Sequence, residues 1–202
     1  NGKTTTVRLI AHLLGGSGLT TGMTCTDGVY VNDRRLDSGD CSGPKSARSV
    51  LMHPDVDAAV FETARGGLLR EGLAFDRCDV AVVTNIGEGD HLGLNYITTV
   101  EDLAVLKRVI VQNVAPDGMA VLNAADPIVA KMAENCPGAV TFFAADRHHP
   151  VMATHNAQGK RVVYIDGHSI VCAEGGDVVQ RIPLGDVPLT RKGTISFQVE
   201  NA

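Results

Sequence analysis

The sequence predicts an α/β fold: a mostly parallel sheet flanked by helices, with a small antiparallel β patch in the C-terminal part. Three observations predict it. Two short apolar runs, Asp57–Glu62 and Asp79–Thr84, are uniform rather than alternating, as in strands buried on both faces. Helical stretches separate these runs from two more, Gly118–Leu122 and Ala139–Phe143, giving a β-α-β-α rhythm with right-handed crossovers. From about Val151 the texture changes to short paired runs, and the Asp166-Gly167 dipeptide between two of them is a hairpin signal.

The elements can be justified in chain order. Lys3–Leu14 has good helix composition, and Gly15-Gly16 are placed to stop it. Ahead of it, Gly2-Lys3-Thr4 is the tail of a G-x-x-x-x-G-K-[ST] element whose leading Gly would precede Asn1. Its backbone N–H groups and Lys hold phosphates, its hydroxyl holds Mg²⁺, and the helix N-terminus favours the anion. The sheet is therefore expected to be of P-loop type. The strand that should feed the loop is missing, so the chain is expected to be a fragment of a longer polypeptide. In Thr98–Val114, Thr98 and Glu101 have capping-box spacing. With that phase, Leu103, Ile110 and Val114 form one stripe, and Lys107 falls within about 40° of its centre. The whole chain, 1–202, is expected to be one domain, with a β-rich sub-region over about 151–190.

Composition excludes several classes. A net charge of −5 argues against a nucleic-acid surface held by basic patches. No apolar run approaches the ~20 residues of a membrane span, and no secretory signal opens the chain. Five cysteines with no C-x-x-C pair point to a reduced, cytoplasmic setting and away from zinc. Homo-oligomerisation stays open.

In open α/β sheets, ligands sit outside the carboxyl ends of the strands. Glu62, Asn85, Glu88, Asp90 and His91 all follow strand ends, on the edge where Gly2-Lys3-Thr4 is expected. Glu62 and His91 are read there as Mg²⁺ or phosphate-site residues, against the plainer readings of a helix cap and a loop histidine. Lys107 in an apolar stripe is either a side chain snorkelling to a helix edge or a partly buried amine with a depressed pKa, open to reaction or modification. Lys45 and Arg48, and Arg65 and Arg70, could meet an anionic or carboxylate substrate. Cys41 is read as structural, and His148-His149 as a solvated turn.

Together these residues resemble the central domain of the Mur ligase superfamily, ATP-dependent amide-bond-forming enzymes. Asn1-Gly2-Lys3-Thr4-Thr5 is similar to the family's G-T-N-G-K-T-[ST] loop, and Glu62 falls where the family places a Mg²⁺-binding Glu. "NIGEGDHLG" resembles its N-x-x-x-D-H element, with an interval one residue longer here, and so involves Asn85 and His91. Lys107, sixteen residues after His91, matches the Lys that many members carbamylate into a metal-binding carboxylate. "LNAADP" resembles the N-x-D-D turn with Pro127 at the second Asp. "FQVENA" resembles H-N-x-x-N-A, with Val199 replacing the first Asn and Asn201 near the adenine.

The resemblance implies ATP and Mg²⁺ as cofactors. The nucleotide would be bound by Asn1, Gly2, Lys3, Thr4, Thr5, Asn85 and Asn201, and metal by Thr4, Glu62, His91 and carbamylated Lys107. Lys3, His91 and Lys107 would be catalytic. Long segments such as "TDGVYVNDRR" and "FETARGGLLREGLAFDRCDVAVVTNIGE" closely resemble the branch that joins arginine to the aspartate side chains of a polymer primer. That branch implies an ATP-grasp region and a C-terminal ligase domain elsewhere in the polypeptide, and an isolated fragment that is inactive. The alternatives are a folylpolyglutamate, peptidoglycan-precursor or β-aspartyl-arginine ligase, or a P-loop nucleotide-binding module without ligase chemistry.

Overall fold

The computed structural model describes residues 2–86 and 97–191. Two compact units make up the chain, Gly2–Asp76 and the residues from Arg77 onward. Helices flank both sheets, and parallel and antiparallel pairings coexist, as an α/β fold with an antiparallel patch requires.

In the first unit, helix α1 (Lys3–Gly16) precedes a meander of β1 (Thr21–Cys25), β2 (Gly28–Val31) and β3 (Arg34–Ser38). Helix α2 (Pro44–Leu51), strand β4 (Ala58–Phe61) and helix α3 (Arg65–Glu71) follow. The sheet order is β3-β2-β1-β4, with β4 parallel to β1 and the other pairs antiparallel. Strand β4 occupies the predicted Asp57–Glu62 run. Helix α1 passes through Gly15-Gly16 and is capped at Ser17, so those glycines do not stop it; the turn comes at Gly18, with φ 94°. The expectation put the helix end two residues early because a glycine inside a last turn costs only about 1 kcal/mol.

Two small cores hold this unit together. Met23 and Cys25 of β1 pack with Val7 of α1, while Val29, Cys41 and Val50 form the other. Gly22 shows how closely α2 approaches the sheet, since a Cβ there would lie 2.2 Å from Val50 Cγ1.

The second unit carries β5 (Cys78–Val83), α4 (Val100–Gln112), β6 (Val114–Asn123), α5 (Pro127–Lys131), β7 (Ala139–Ala144), α6 (Pro150–Ala157), β8 (Arg161–Asp166), β9 (Ser169–Glu174) and β10 (Asp177–Pro183). Its sheet runs β10-β9-β8-β7-β6-β5, parallel from β5 to β8 and antiparallel from β8 to β10. The antiparallel patch is thus the predicted one, and Asp166-Gly167 makes its first turn, with Gly167 at φ 58°. One core fills the unit, with Leu103, Val111, Leu122 and Val129 fully enclosed.

Two details of α4 correct the sequence reading. The capping residue is Thr99, whose hydroxyl accepts the Asp102 N–H at 3.1 Å while the Asp102 carboxylate accepts the Thr99 N–H at 3.2 Å. The box is therefore Thr99–Asp102, one residue beyond Thr98–Glu101. The buried stripe is Leu103 and Val111; Val114 instead begins β6, because α4 ends at Asn113, whose Nδ2 donates to the Val109 carbonyl at 2.7 Å.

Candidate active site

At the start of α1, Gly2 is in the left-handed region (φ 82°, ψ −9°), a conformation glycine adopts without a Cβ penalty. No side chain caps this terminus, and its first turn holds no acidic residue. Its N–H groups and the positive end of the helix dipole therefore point to an anion-binding role. Lys3, Thr4 and Thr5 are half-buried in the same turn.

Parallel pairing of β1 with β4, with Thr24 opposite Phe61, ends both strands at one edge. Glu62, the residue after β4, is only 4 % exposed. Its Oε2 accepts the Thr4 hydroxyl at 2.7 Å and the Thr26 N–H at 3.3 Å. Thr26 Oγ1 lies 3.3 Å from Thr4 Oγ1. Glu62 does make contact with a helix terminus, through the very hydroxyl that the G-K-T motif reserves for a cation.

This donor set suits magnesium. It consists of a carboxylate and hydroxyls, all hard oxygens, and Thr4 Oγ1 and Glu62 Oε2 are 2.7 Å apart. Adjacent oxygens of an octahedron with bonds of ~2.0–2.1 Å lie about 2.9 Å apart. Among the described residues no three His, Cys, Asp or Glu side chains cluster, so a cation here relies on hydroxyls, phosphates and water for its other positions.

The turn after β1 is tied to α1. Asp27 accepts the Cys25 thiol at 2.6 Å and pairs with Arg8 at 2.5 Å, one helical turn beyond Thr4. The Arg8 guanidinium also lies 5.3 Å from the centre of the Tyr30 ring. The Cys25 hydrogen bond and then Arg8 hold the Asp27 carboxyl below its usual range. Burial pushes the Cys25 thiol up.

In the second unit, Asn85 follows β5 and is half-buried. The segment around it is fixed from the next crossover. Asn123 Nδ2 donates to the Thr84 carbonyl at 2.8 Å, and Asp126 Oδ2 accepts the Ile86 N–H at 2.7 Å. Asp126 also caps α5 through Oδ1, and Pro127 occupies the first turn of that helix. A proline there suits the fixed φ of N1. Counted from Asn123, the N-x-D-D pattern places Ala125 at its first Asp and Asp126 at its second, so Pro127 follows the pattern rather than replacing its second Asp. Lys107 is half-buried on α4, one turn from each of the enclosed Leu103 and Val111, so the apolar stripe around it is real.

Asn1, Glu88, Asp90, His91 and Asn201 lie outside the described residues. Lys45 is exposed, and Arg48 pairs with Glu71 at 3.7 Å. Cys41 is buried with Val29 and Val50, and the His148 N–H donates to Asp146 in a turn. Thr26 was missed by sequence reasoning. Asp27-Gly28 is a turn signal beside it, but the strand before that turn carries no pattern, and only the pairing of β1 with β4 puts Thr26 beside Glu62.

Residues 1–184 match the Mur ligase middle domain. The chain is 45% identical over its full length to the cyanophycin synthetase of a Synechocystis species and 44% identical to that of Geminocystis herdmanii. It spans 23% of the length of each. It is also 27% identical to the UDP-N-acetylmuramyl-tripeptide synthetase of Deinococcus radiodurans, over 91% of this chain and 37% of that protein. A UDP-N-acetylmuramoyl-L-alanyl-D-glutamate–2,6-diaminopimelate ligase structure has the same fold, with a TM-score of 0.66 and 18% identity over 88% of this chain and 36% of that one. So does E. coli FolC in complex with DHPP and ADP, at a TM-score of 0.57 and 16% identity over 91% of this chain and 47% of that one. The chain belongs to the Mur ligase family, as its middle domain.

Proposed function

We propose that this chain is the ATP-binding middle domain of an ADP-forming acid–amino-acid ligase of cyanophycin synthesis. The observation that carries the reading is the buried Glu62 carboxylate accepting the Thr4 hydroxyl at the open N-terminus of α1. Identity of 43–45% across the whole chain to cyanophycin synthetases supports the substrate assignment. The unpaired state of all five cysteines fits a cytoplasmic enzyme.

A carboxylate does not undergo direct attack by an amine, because its oxygen is a poor leaving group. In the proposed reaction, an aspartate side-chain carboxylate of the polymer primer attacks the γ-phosphorus of ATP, and ADP leaves. The arginine α-amine then attacks the acyl carbon, and the C–O bond to phosphate breaks. The N–H groups of the first turn of α1 and the Lys3 ammonium bind and orient the phosphates, countering the charge that develops during transfer. Asn1 and Thr5 complete the loop, and Asn85 and Asn201 contact the nucleotide.

Thr4 and Glu62 would hold Mg²⁺, with His91 and a carbamylated Lys107 as further ligands. Bound there, the cation supplies charge neutralisation at the phosphate oxygens. The ATP-grasp region and the C-terminal ligase domain belong to the rest of the polypeptide, so residues 1–202 alone are inactive in this reading.

The test uses the full-length protein with ATP, Mg²⁺ and an aspartate-rich primer, following ADP release with and without arginine. The expected result is arginine-dependent release with a matching gain in primer mass. Release that instead follows a β-aspartyl-arginine dipeptide, a folate or a peptidoglycan precursor would reassign the substrate. Nucleotide binding without turnover on any of these would leave a non-catalytic P-loop module.

A further inference from the structure

Thr26 stands at the mouth of the cation edge, exposed, while Glu62 behind it is buried. A hydroxyl has a single proton. Thr4 gives its proton to Glu62 Oε2 over 2.7 Å, the shorter and charge-assisted contact. At the 3.3 Å contact between Thr4 Oγ1 and Thr26 Oγ1, the donor must then be Thr26. The result is a directed relay, Thr26 to Thr4 to Glu62. It occupies one lone pair of Thr4 Oγ1 and leaves the other free. The Thr26 N–H meanwhile holds Glu62 Oε2 at 3.3 Å. Arg8 of α1 also pairs with Asp27, the next residue, an exposed contact that links the turn to the helix.

We propose that Thr26 is a positioning residue of the phosphate and cation edge, its hydroxyl fixing the orientation in which Thr4 and Glu62 present oxygen to a divalent cation. The inference rests on the functional reading above and adds to it a residue that acts through Thr4. It differs from a fold-stabilising role because the polar contacts of Thr26 described here converge on Thr4 and Glu62.

The variant Thr26→Val keeps the shape and the backbone N–H and removes only the hydroxyl; Thr26→Ser keeps the hydroxyl. In the full-length protein, calorimetric binding of a non-hydrolysable ATP analogue is measured across a Mg²⁺ titration, and the heat of the Lys3→Ala variant is subtracted to remove binding at the ATP-grasp region. Thr26→Val is expected to raise the half-saturating Mg²⁺ concentration about 10-fold, the lower end of what loss of a ligand-orienting partner costs. At saturating Mg²⁺ it should bind the analogue like the native protein, and Thr26→Ser should stay within about 2-fold of native throughout.

A merely structural role would weaken binding equally at every Mg²⁺ concentration, and that pattern overturns the proposal. So does a Thr26→Val midpoint equal to the native one, or a Thr26→Ser midpoint raised as far as that of Thr26→Val. If Thr26→Val does not fold, Thr26→Ala is read by the same criteria. Native protein that binds the analogue without regard to Mg²⁺ overturns the functional reading and this inference with it, an outcome separable from a defect confined to the variants.

Discussion

The two units use burial differently. In Gly2–Asp76 the apolar clusters are small, and a buried carboxylate, Glu62, sits at a strand end beside hydroxyls. From Arg77 onward most of the buried apolar side chains join one continuous core, with Leu103, Val111 and Leu122 fully enclosed, and buried His155 packs against Phe142 of that core. A buried carboxylate costs several kcal/mol in desolvation unless it is well paired. The first unit keeps one where its hydrogen bonds come from the G-K-T hydroxyl and a turn N–H. The difference teaches that burial in the first unit encloses a carboxylate held at a strand edge beside the start of α1, and in the second serves packing.

The largest effect should come from the first unit. Lys3→Ala in the full-length protein is expected to lower ADP formation about a hundred- to a thousand-fold, the cost of removing one preorganised charge at a developing anion. The thermal unfolding profile should be unchanged, because Lys3 is absent from both cores of its unit. Normal ADP formation by this variant would remove the phosphate-loop assignment.

Next in size is the second unit's core. Leu103→Ala is expected to cost about 2–5 kcal/mol, the range for truncating a buried leucine. Hydrogen exchange should report it as lost protection in α4 and β6, whose side chains share that core. Unchanged protection would mean that packing in this unit is looser than the enclosure of Leu103 implies.

This contrast was partly readable beforehand. Uniform apolar runs such as Asp79–Thr84 locate parallel strands, so β4 to β7 could be placed. The two-faced burial expected of the first two is not found: β4 has no fully buried residue and Val80 of β5 is 57 % exposed, each strand being the last in its sheet. The strand Thr21–Cys25 could not be, because "TGMTC" has neither alternation nor an apolar run, yet all five residues are buried. Gly22 is required there because Val50 of α2 and Val56 come close, a fact of tertiary structure alone. Capping was misplaced by one residue because Thr98 and Thr99 both precede an acid at the right interval. Asp102, which takes N–H bonds from both, decides it. Glu62 was legible as a strand-end carboxylate. Its partners Thr4 and Thr26, 58 and 36 residues away, depend on the pairing of β1 with β4.

A subtler test concerns pH. His155 lies 7 % exposed against Phe142, and Nε2 is 2.9 Å from the Val140 carbonyl. Burial, aided by the nearby Lys160 and opposed by the Val140 hydrogen bond, lowers its pKa. The unfolded chain then takes up the proton first as pH falls. The contribution to stability is complete above the ordinary histidine value of about 6.5 and is lost progressively as pH falls to the lower folded value. Urea unfolding midpoints of the full-length protein should drop over that window, and His155→Gln should flatten the drop. An equally steep drop in the variant would assign the acid sensitivity to carboxylates.

The smallest effect tests burial against contact geometry. Arg161 and Glu174 face each other directly across β8 and β9, with Arg161 Nε and Nη2 at 3.0 and 2.9 Å from one Glu174 oxygen. By distance this pair is as well made as Thr4 with Glu62. Each side chain is 44 % exposed, so water and salt screen the attraction and solvate either partner left alone. A double-mutant cycle with Arg161→Ala and Glu174→Ala should therefore return only about 0.2–1 kcal/mol, shrinking as salt is raised. A larger coupling that resisted salt would place this exposed pair with the buried edge of the first unit, and burial would no longer be what separates the two.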